Sequence, residues 1–232
     1  MIREISEHDE LEEAVNLQRL IWGFEDVDLL PLRLFVVATK IGGHVLGAFD
    51  GERMIGFSLA IPGLKPGGDI YWHSHMMGVL PDYRNQGIGR QLKLRQREDA
   101  LARGIRLIEW TFDPLELKNA YLNIEKLGVI VRRYVLNQYG NTTRPLHGGL
   151  PTDRCVAEWH LGDERRPPAI EARIPIPSEI GTLRRSDPAR AREIQQRASG
   201  QFLDCFHRGL AVVGFERSDT AGTYLLAPWP SA

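Results

Sequence analysis

The sequence predicts an α/β fold with a mixed β-sheet, and three observations carry the prediction. Apolar residues recur at helical spacing between Asp9 and Ile21. Two β-like runs flank Asp50-Gly51, a strong signal for a hairpin turn. Between Asp69 and Phe112, a strand, a turn, a helix and a strand follow one another, and such a βαβ unit joins parallel strands. A sheet that holds both the hairpin and the parallel pair is mixed.

The other elements follow from local patterns and from Gly and Pro punctuation. After Gly162 the composition changes, and GDERRPPA (162–169) predicts a linker. We predict strands at Met1–Ile5, Ile105–Phe112, Val129–Tyr139 and Arg154–Leu161, and helices at Leu32–Lys40, Gln86–Arg103 and Glu116–Leu127; beyond the linker, IPIPSEI is extended, Asp187–His207 is helical, and GLAVVGF with GTYLLAP forms a closing hairpin.

Composition narrows the class of protein. The 232 residues are 43% hydrophobic and 25% charged, as in ordinary globular proteins, and the formal net charge is -1. This balance gives no general attraction to nucleic acid or to anionic membranes. The charged start of the chain has no apolar stretch typical of a signal peptide, and no run is long enough to span a membrane. With only Cys155 and Cys205 and no close-spaced metal motif, we expect a cytoplasmic protein, although a disulfide between the two stays open.

The segment HSHMMGVLPDYRNQGIGR (73–90) carries the chemistry. Its Gly87-x-Gly89 opens the helix that follows a strand, and the free N–H groups of a helix N-terminus suit a phosphate. Arg84 and Arg90 add formal charge. The dinucleotide fingerprint fails because Leu92 replaces its third Gly, and the P-loop fails because Arg90 follows Gly89. A bare Gly-x-Gly also fits a simple helix cap.

The context of the glycines is more specific. Arg84-Asn85-Gln86-Gly87-Ile88-Gly89 fits Arg/Gln-x-x-Gly-x-Gly/Ala after a strand and before an amphipathic helix. This resembles the pyrophosphate loop of the GCN5-related N-acetyltransferase (GNAT) superfamily. The resemblance covers roughly residues 1–161, which would form a GNAT-like acyl-CoA-binding catalytic domain, with 162–232 as a C-terminal extension. It implies acetyl-CoA or another acyl-CoA as co-substrate, with the pyrophosphate held by the backbone of Asn85, Gln86, Gly87, Ile88, Gly89 and Arg90, beside Arg84, and the pantetheine paired with Met77, Gly78 and Val79.

The histidine pair lies just upstream of that cofactor segment. Strand alternation predicts Tyr71, His73, His75, Met77 and Val79 on one face. A neutral imidazole can accept the proton that an amine loses as it attacks a thioester, and two close imidazoles discourage double protonation. Hydrogen-bonded structural histidines are the alternative. The two histidines could also bind a metal, but no third ligand is evident, so we predict no metal site. His-x-His is also similar to the pair in arylalkylamine N-acetyltransferases.

The general acid departs from the family pattern. Many GNAT enzymes carry a tyrosine four residues before the Gly that ends the fourth helix, and here that position is Ile124. Tyr121 is the candidate instead, on roughly the same helix face. The thiol can also leave as a thiolate unaided. Asn119 and Asn123 suit the pantetheine amides, because Asn is unfavourable inside a helix unless its amide has a partner.

The acceptor follows from the resemblance and from one loop. In this fold the loop between the first two helices covers the acceptor; here WGFEDVDLLP is aromatic and acidic, which suits a cationic amine. We predict direct transfer to a primary amine of a small molecule or amino acid, with acetyl as the first choice of acyl group. The WTFDPL–NAY segment resembles a subgroup that includes amino-acid N-succinyltransferases, so succinyl-CoA is an alternative donor. A non-catalytic acyl-CoA sensor is the rival. We expect neither nucleic-acid nor membrane partners, and a homodimer interface stays open.

Overall fold

A computed structural model describes residues 1–140, 149–162 and 169–229. By packing, the chain divides into two compact units. The first contains Met1–Trp110 and His160–Gly162, and the second contains Thr111–Trp159 and Asp163–Ala232. Within the described residues, no helix is both long enough and apolar enough to cross a membrane. The predicted functional boundary between residues 161 and 162 stays a prediction, and most of the predicted linker (163–168) lies outside the described residues.

The first unit is built on a mixed sheet, as the sequence predicts. Its strands follow one another in the order β1-β2-β3-β4-β5, antiparallel up to β4 and parallel between β4 and β5. The bounds are β1 Ile2–Glu4, α1 His8–Trp22, α2 Leu32–Lys40, β2 His44–Asp50, β3 Arg53–Leu64, β4 Ile70–Val79, α3 Ile88–Ala102 and β5 Leu107–Phe112, of which the first unit holds the part up to Trp110.

Apolar periodicity explains how these elements pack. The stripe predicted for the first helix is buried in α1, with Leu11 and Leu17 almost fully covered. Phe57 on β3 is fully buried and forms ring contacts with Phe35 of α2 and with Trp22 at the end of α1. These contacts join the first two helices to β3 through one core. At the predicted hairpin, Gly51 adopts φ +58°, a left-handed conformation that glycine accepts without strain.

A β-bulge interrupts β4 at its centre. Leu59 of β3 pairs with Met76 and Ala60 pairs with Ser74, so His75 is the extra residue on β4. Because one residue is inserted, the alternation of faces is reversed beyond it. The prediction that Met77 and Val79 share a face with Tyr71 and His73 is therefore wrong. Met76 and Gly78 take those places.

The second unit contains the remaining strands and helices. Strands pair in the order β7-β6-β9-β10-β8, and the closing hairpin predicted from GLAVVGF and GTYLLAP is β9–β10. The bounds are α4 Leu117–Ala120, a π-helical turn Tyr121–Lys126, β6 Ile130–Val135, β7 Arg154–His160, β8 Ala172–Pro177, α5 Ile180–Ser186, α6 Pro188–His207, β9 Leu210–Arg217 and β10 Ala221–Pro228.

The length of β6 differs from the sequence prediction. Strand β6 ends at Val135 rather than Tyr139, and Asn137 just beyond it adopts φ +45°, which a strand does not allow. Cys155 and Cys205 are both free and buried, so no disulfide joins them. A buried hydrogen-bond network links β6 to α6: Tyr134 and Ser199 each donate to Asp153, at 3.1 and 2.8 Å.

Candidate functional site

The loop before α3 exposes a run of backbone amides. Asn85 and Gly87 adopt left-handed conformations, at φ +64° and +82°, on either side of Gln86. No side chain caps the N-terminus of α3. Among the residues that the structure describes, none accepts a hydrogen bond from the amides of residues 85–90. Such a group of free N–H donors at a helix N-terminus suits an anion like a pyrophosphate.

The two glycines have separate steric roles. A Cβ on Gly87 would meet only the Gln91 side chain, at 3.9 Å, so its left-handed φ is the reason for glycine there. A Cβ on Gly89 would lie 3.5 Å from the Cε of Met77 on β4, and thus in the space between the helix start and the strand. Gly89 leaves that space open beside the free amides.

Arg84 anchors this loop to its surroundings. Its Nε donates to the Val79 carbonyl at 3.2 Å, and its Nη2 donates to the Ile21 carbonyl at 3.0 Å. The guanidinium thus fixes the loop to the end of β4 and to α1. Arg90 is exposed and belongs to the first turn of α3. Both predicted phosphate cations are exposed, but the guanidinium of Arg84 also has a structural task, because it holds two backbone carbonyls.

The strands β4 and β5 pair at only two positions. Trp72 lies opposite Ile108 and His73 lies opposite Glu109, and both strands continue beyond these pairs. The strands therefore form a fork whose apex follows His73 and Glu109. Because the strands part here, the edge of β4 beyond His73 is open to strand-like pairing with an extended ligand. The bulge at His75 lies at the start of this edge.

The histidine pair lies at this fork. The rings of His73 and His75 have centroids 5.9 Å apart. Burial lowers the pKa of His73, and His75 and Lys93 lower it further, while Glu109 opposes them. Partial burial also lowers the pKa of His75. These shifts favour the neutral form of both imidazoles, which is able to accept a proton.

Glu109 has its own counter-ion. Its Oε1 lies 2.5 Å from the Nζ of Lys65, and its side chain is almost fully buried. Lys65 in turn lies over the ring of Tyr71, at 4.6 Å from the centroid. The carboxylate thus forms a salt bridge with Lys65 and also acts to raise the pKa of His73. The first unit brings together the phosphate loop, the β4 edge and the histidines that the sequence predicts.

Comparison with known proteins supports the same interpretation. Residues 35–128 match the family model described as an acetyltransferase (GNAT) domain. This stretch of the chain carries a GNAT acetyltransferase domain. The match spans the fork and the phosphate loop, and it supports the GNAT resemblance and the N-acyltransferase class that the sequence predicts. A search of curated proteins found no match.

Solved structures show the same fold at low identity. The ribosomal-protein-S18-alanine N-acetyltransferase from Escherichia coli is 19% identical, with a TM-score of 0.56, over 72% of this chain and 96% of that one. An aminoglycoside 6'-acetyltransferase type Ii is 20% identical, with a TM-score of 0.55, over 71% and 99%. Arabidopsis thaliana NAA60, solved with a bisubstrate analogue, is 16% identical, with a TM-score of 0.54, over 70% and 98%. The predicted GNAT-like mixed α/β fold is confirmed.

Three of the predicted site residues belong to the second unit. Tyr121 begins the π-helical turn, and its ring lies 5.1 Å from the cationic groups of both Lys126 and Arg217. Because the turn is π-helical, the α-helical spacing that was expected to align Tyr121 with Ile124 does not apply. Asn123 is buried within the same turn, and Asn119 is exposed on α4. Their roles stay predictions.

The predicted acceptor loop has an ordered aromatic start. Trp22 stacks on Phe24 with centroids 5.4 Å apart and meets Phe57 in a T-shaped arrangement. Trp22 also packs against the backbone of Gly78, where a Cβ would come within 2.8 Å of the indole. Asp26 forms an exposed salt bridge with Arg19 at 2.7 Å. The loop is therefore tied to β4 by an aromatic contact, while its role in binding an acceptor stays a prediction.

Sequence reasoning missed Lys93, a buried cation of the GNAT domain. Lys93 lies on α3 and is only 3% exposed. Its Nζ donates to Ser74 Oγ at 2.7 Å and to Gln96 Oε1 at 3.3 Å, and lies 3.7 Å from the centroid of the Trp110 ring. Burial lowers the pKa of Lys93 to about 7. The only sequence signal was a lysine at a position of α3 that must face the sheet.

Proposed function

We propose that the protein transfers an acyl group from acyl-CoA to the primary amine of a small molecule or amino acid. The observation that carries the proposal is the proximity, within one compact unit, of free amides at residues 85–90 to a strand edge with two neutral histidines. The amides suit the pyrophosphate, and the free β4 edge suits the pantetheine at Met77, Gly78 and Val79. The GNAT domain supports acyl-CoA as the donor.

The chemistry requires one proton transfer and one displacement. His73, or His75 through a water molecule, accepts a proton from the incoming amine as its nitrogen attacks the thioester carbonyl. A backbone N–H near Met77–Val79 stabilises the negative charge on the carbonyl oxygen. The carbon–sulfur bond then breaks, which yields an amide and the thiolate of CoA. Tyr121 or solvent supplies the proton that converts the thiolate into the thiol.

Transfer is direct, without an acyl-enzyme. Cys155 is fully buried, and burial raises the pKa of its thiol well above the usual value. Burial likewise raises the pKa of the Cys205 thiol. A raised pKa leaves little of the reactive thiolate, so neither cysteine is an activated nucleophile. We therefore propose a ternary complex in which the amine attacks the bound thioester.

Acetyl-CoA is the proposed donor, and succinyl-CoA is the alternative. A second candidate function, a non-catalytic acyl-CoA sensor, is favoured by one observation. Ile124, at the position where the family places its acid, is apolar and buried. It cannot protonate a leaving thiolate, so catalysis here would depend on Tyr121 or on solvent.

A thiol-release assay separates these functions. Purified protein is incubated with acetyl-CoA or succinyl-CoA and with a panel of amines and amino acids, and free CoA thiol is followed over time. The proposed function predicts thiol release that depends on one class of amine and on one of the two donors. Tight CoA binding with no amine-dependent release from either donor would establish the sensor instead. Gly87→Asp serves as the control in which the proposed phosphate loop is disrupted.

A further inference from the structure

Lys93 contacts both strands at the apex of the β4–β5 fork. The last paired residues are His73 and Glu109. The next residues are Ser74 on β4 and Trp110 on β5. Nζ of Lys93 donates to Ser74 Oγ and lies 3.7 Å from the Trp110 ring centroid. One amine on α3 thus joins the two strands where their pairing ends.

This amine is costly to keep at a buried position. Among the described residues, none forms an ion pair with Lys93, and its other polar contact is Gln96 Oε1. An apolar side chain of similar length would fill the same space without the desolvation penalty of an ammonium. The contacts of Lys93 are, however, directional: a hydrogen bond fixes Ser74, and the cation–π contact fixes Trp110. A lysine here therefore favours a defined geometry over maximal stability.

We propose that Lys93 is a positioning residue that fixes β4 against β5 at the apex of the fork in which the acyl thioester binds. This inference rests on the proposed function, because the fork matters for turnover only if acyl transfer takes place there. Ser74 lies between His73 and His75 in sequence, so a shift of Ser74 displaces both candidate bases. The position of the thioester carbonyl, which the free edge of β4 would hold, changes with it.

The charge of Lys93 also acts on His73. The titratable groups that influence the pKa of His73 are His75 on β4, Glu109 on β5 and Lys93 on α3, and Lys65 neutralises Glu109 from the end of β3. Lys93 lowers this pKa, and therefore helps to keep His73 in the neutral form that accepts a proton. Position and charge act together at this site.

Lys93→Met tests the inference, because methionine keeps much of the side-chain length but loses the polar contact and the charge. We expect kcat to fall by about 10²-fold, the usual effect of a small misplacement of reacting groups. The Kd for CoA, which depends on the loop at residues 85–90, stays unchanged. The acidic limb of the pH profile moves to higher pH, because His73 loses a neighbouring positive charge. Lys40→Met, on the exposed end of α2, is the matched control and leaves all three quantities unchanged.

A second readout does not depend on activity. The ¹⁹F resonance of Trp110 in 5-fluorotryptophan-labelled protein, assigned with Trp110→Phe, should titrate with a midpoint near the Lys93 pKa of about 7 and become flat in Lys93→Met. Unchanged kcat and pH profile in Lys93→Met, or a Trp110 resonance that does not titrate in the wild type, would overturn the inference. If the wild-type protein transfers no acyl group at all, the proposed function fails, and the Trp110 titration alone decides the place of Lys93.

Discussion

His73 faces Glu109 at the last paired position of β4 and β5. Beyond this pair, the strands part, and several of the features that suggest chemistry lie next to it. The bulge at His75 follows on β4, and Lys93 joins the next residues of both strands. A carboxylate and two imidazoles thus lie within a few residues of the point where the strands part, and a buried amine on α3 contacts both strands there. Their charges are coupled, so substitutions here should alter pH dependence as well as rate.

His73→Gln should slow acyl transfer without loss of CoA binding. Glutamine has a similar size and can form hydrogen bonds, but it cannot accept a proton at neutral pH. We expect kcat to fall by about 10²–10⁴-fold, the usual contribution of a general base. In the wild type, the acidic limb of kcat/KM should have a midpoint below 6.5, because burial lowers the pKa of His73 from that value. Steady-state kinetics from acidic to neutral pH measures both effects.

Two further variants complete this comparison. His75→Gln distinguishes a single base from a relay, since a water-mediated role for His75 predicts a smaller loss than for His73. His8→Gln, exposed on the first turn of α1, is the control and should be inert. If the double variant His73→Ala, His75→Ala keeps full turnover with a flat pH profile, the histidines are structural.

Gly87→Asp should strongly weaken CoA binding while the fold survives. A side chain at φ +82° strains the loop, and a carboxylate beside the free amides repels a pyrophosphate. We expect CoA affinity to fall by at least about tenfold, measured by isothermal titration calorimetry. Gly67→Asp is the matched control, since it adds the same charge to the same unit at a glycine with open space around it. Equal CoA affinity in Gly87→Asp and Gly67→Asp would remove the phosphate role of this loop.

The stability of Lys93→Met relative to the wild type should depend on pH in a defined direction. Burial lowers the folded-state pKa of Lys93 from 10.5 to about 7. The native state therefore carries the full cost of a buried charge below pH 7 and loses that cost as pH rises toward 10.5, where the unfolded lysine also becomes neutral. The difference in Tm, variant minus wild type, should be largest in acid and shrink with rising pH. A difference that grows with pH in calorimetric scans would show that Lys93 is not buried as a charge.

Gly78→Ala should destabilise the protein through a steric clash with the start of the acceptor loop. A Cβ on Gly78 would lie 2.8 Å from Trp22 and 2.9 Å from Ile21. Trp22 cannot move freely, because Phe24 and Phe57 hold its ring. We expect a loss of about 1–3 kcal/mol in the free energy of unfolding, measured by urea denaturation. Gly200→Ala, exposed inside α6 with open space, should instead stabilise by about 0.5–1 kcal/mol; equal effects would exclude the clash.

The fold was predictable because its signals are local. The Asp50-Gly51 hairpin, the helix after Gly87 and the βαβ unit each depend on turn chemistry and periodicity within a short window. The π-helical form of Tyr121–Lys126 was not predictable, because the sequence pattern of a short α-helix fits it as well. The same limit explains why the predicted end of β6 lies four residues too late.

The site was predictable only in part. The phosphate loop follows from Gly87 and Gly89, whose spacing has few other uses before a helix. The bulge at His75 does not follow from the residues of β4, since it arises from the register with Leu59 and Ala60 of β3. The role of Lys93 required the contact between α3 and both strands. Tertiary pairing, which no local pattern encodes, decides both features.

Mass spectrometry of the acceptor tests the central claim most directly. The protein is incubated with ¹³C-acetyl-CoA or ¹³C-succinyl-CoA and an amine that supports thiol release. The account predicts an amine product that gains the mass of the labelled acyl group, formed by the wild type and by Gly67→Asp and lost in Gly87→Asp and in the double histidine variant. Thiol release with no acylated amine from either donor, or product formation that Gly87→Asp leaves intact, would contradict it.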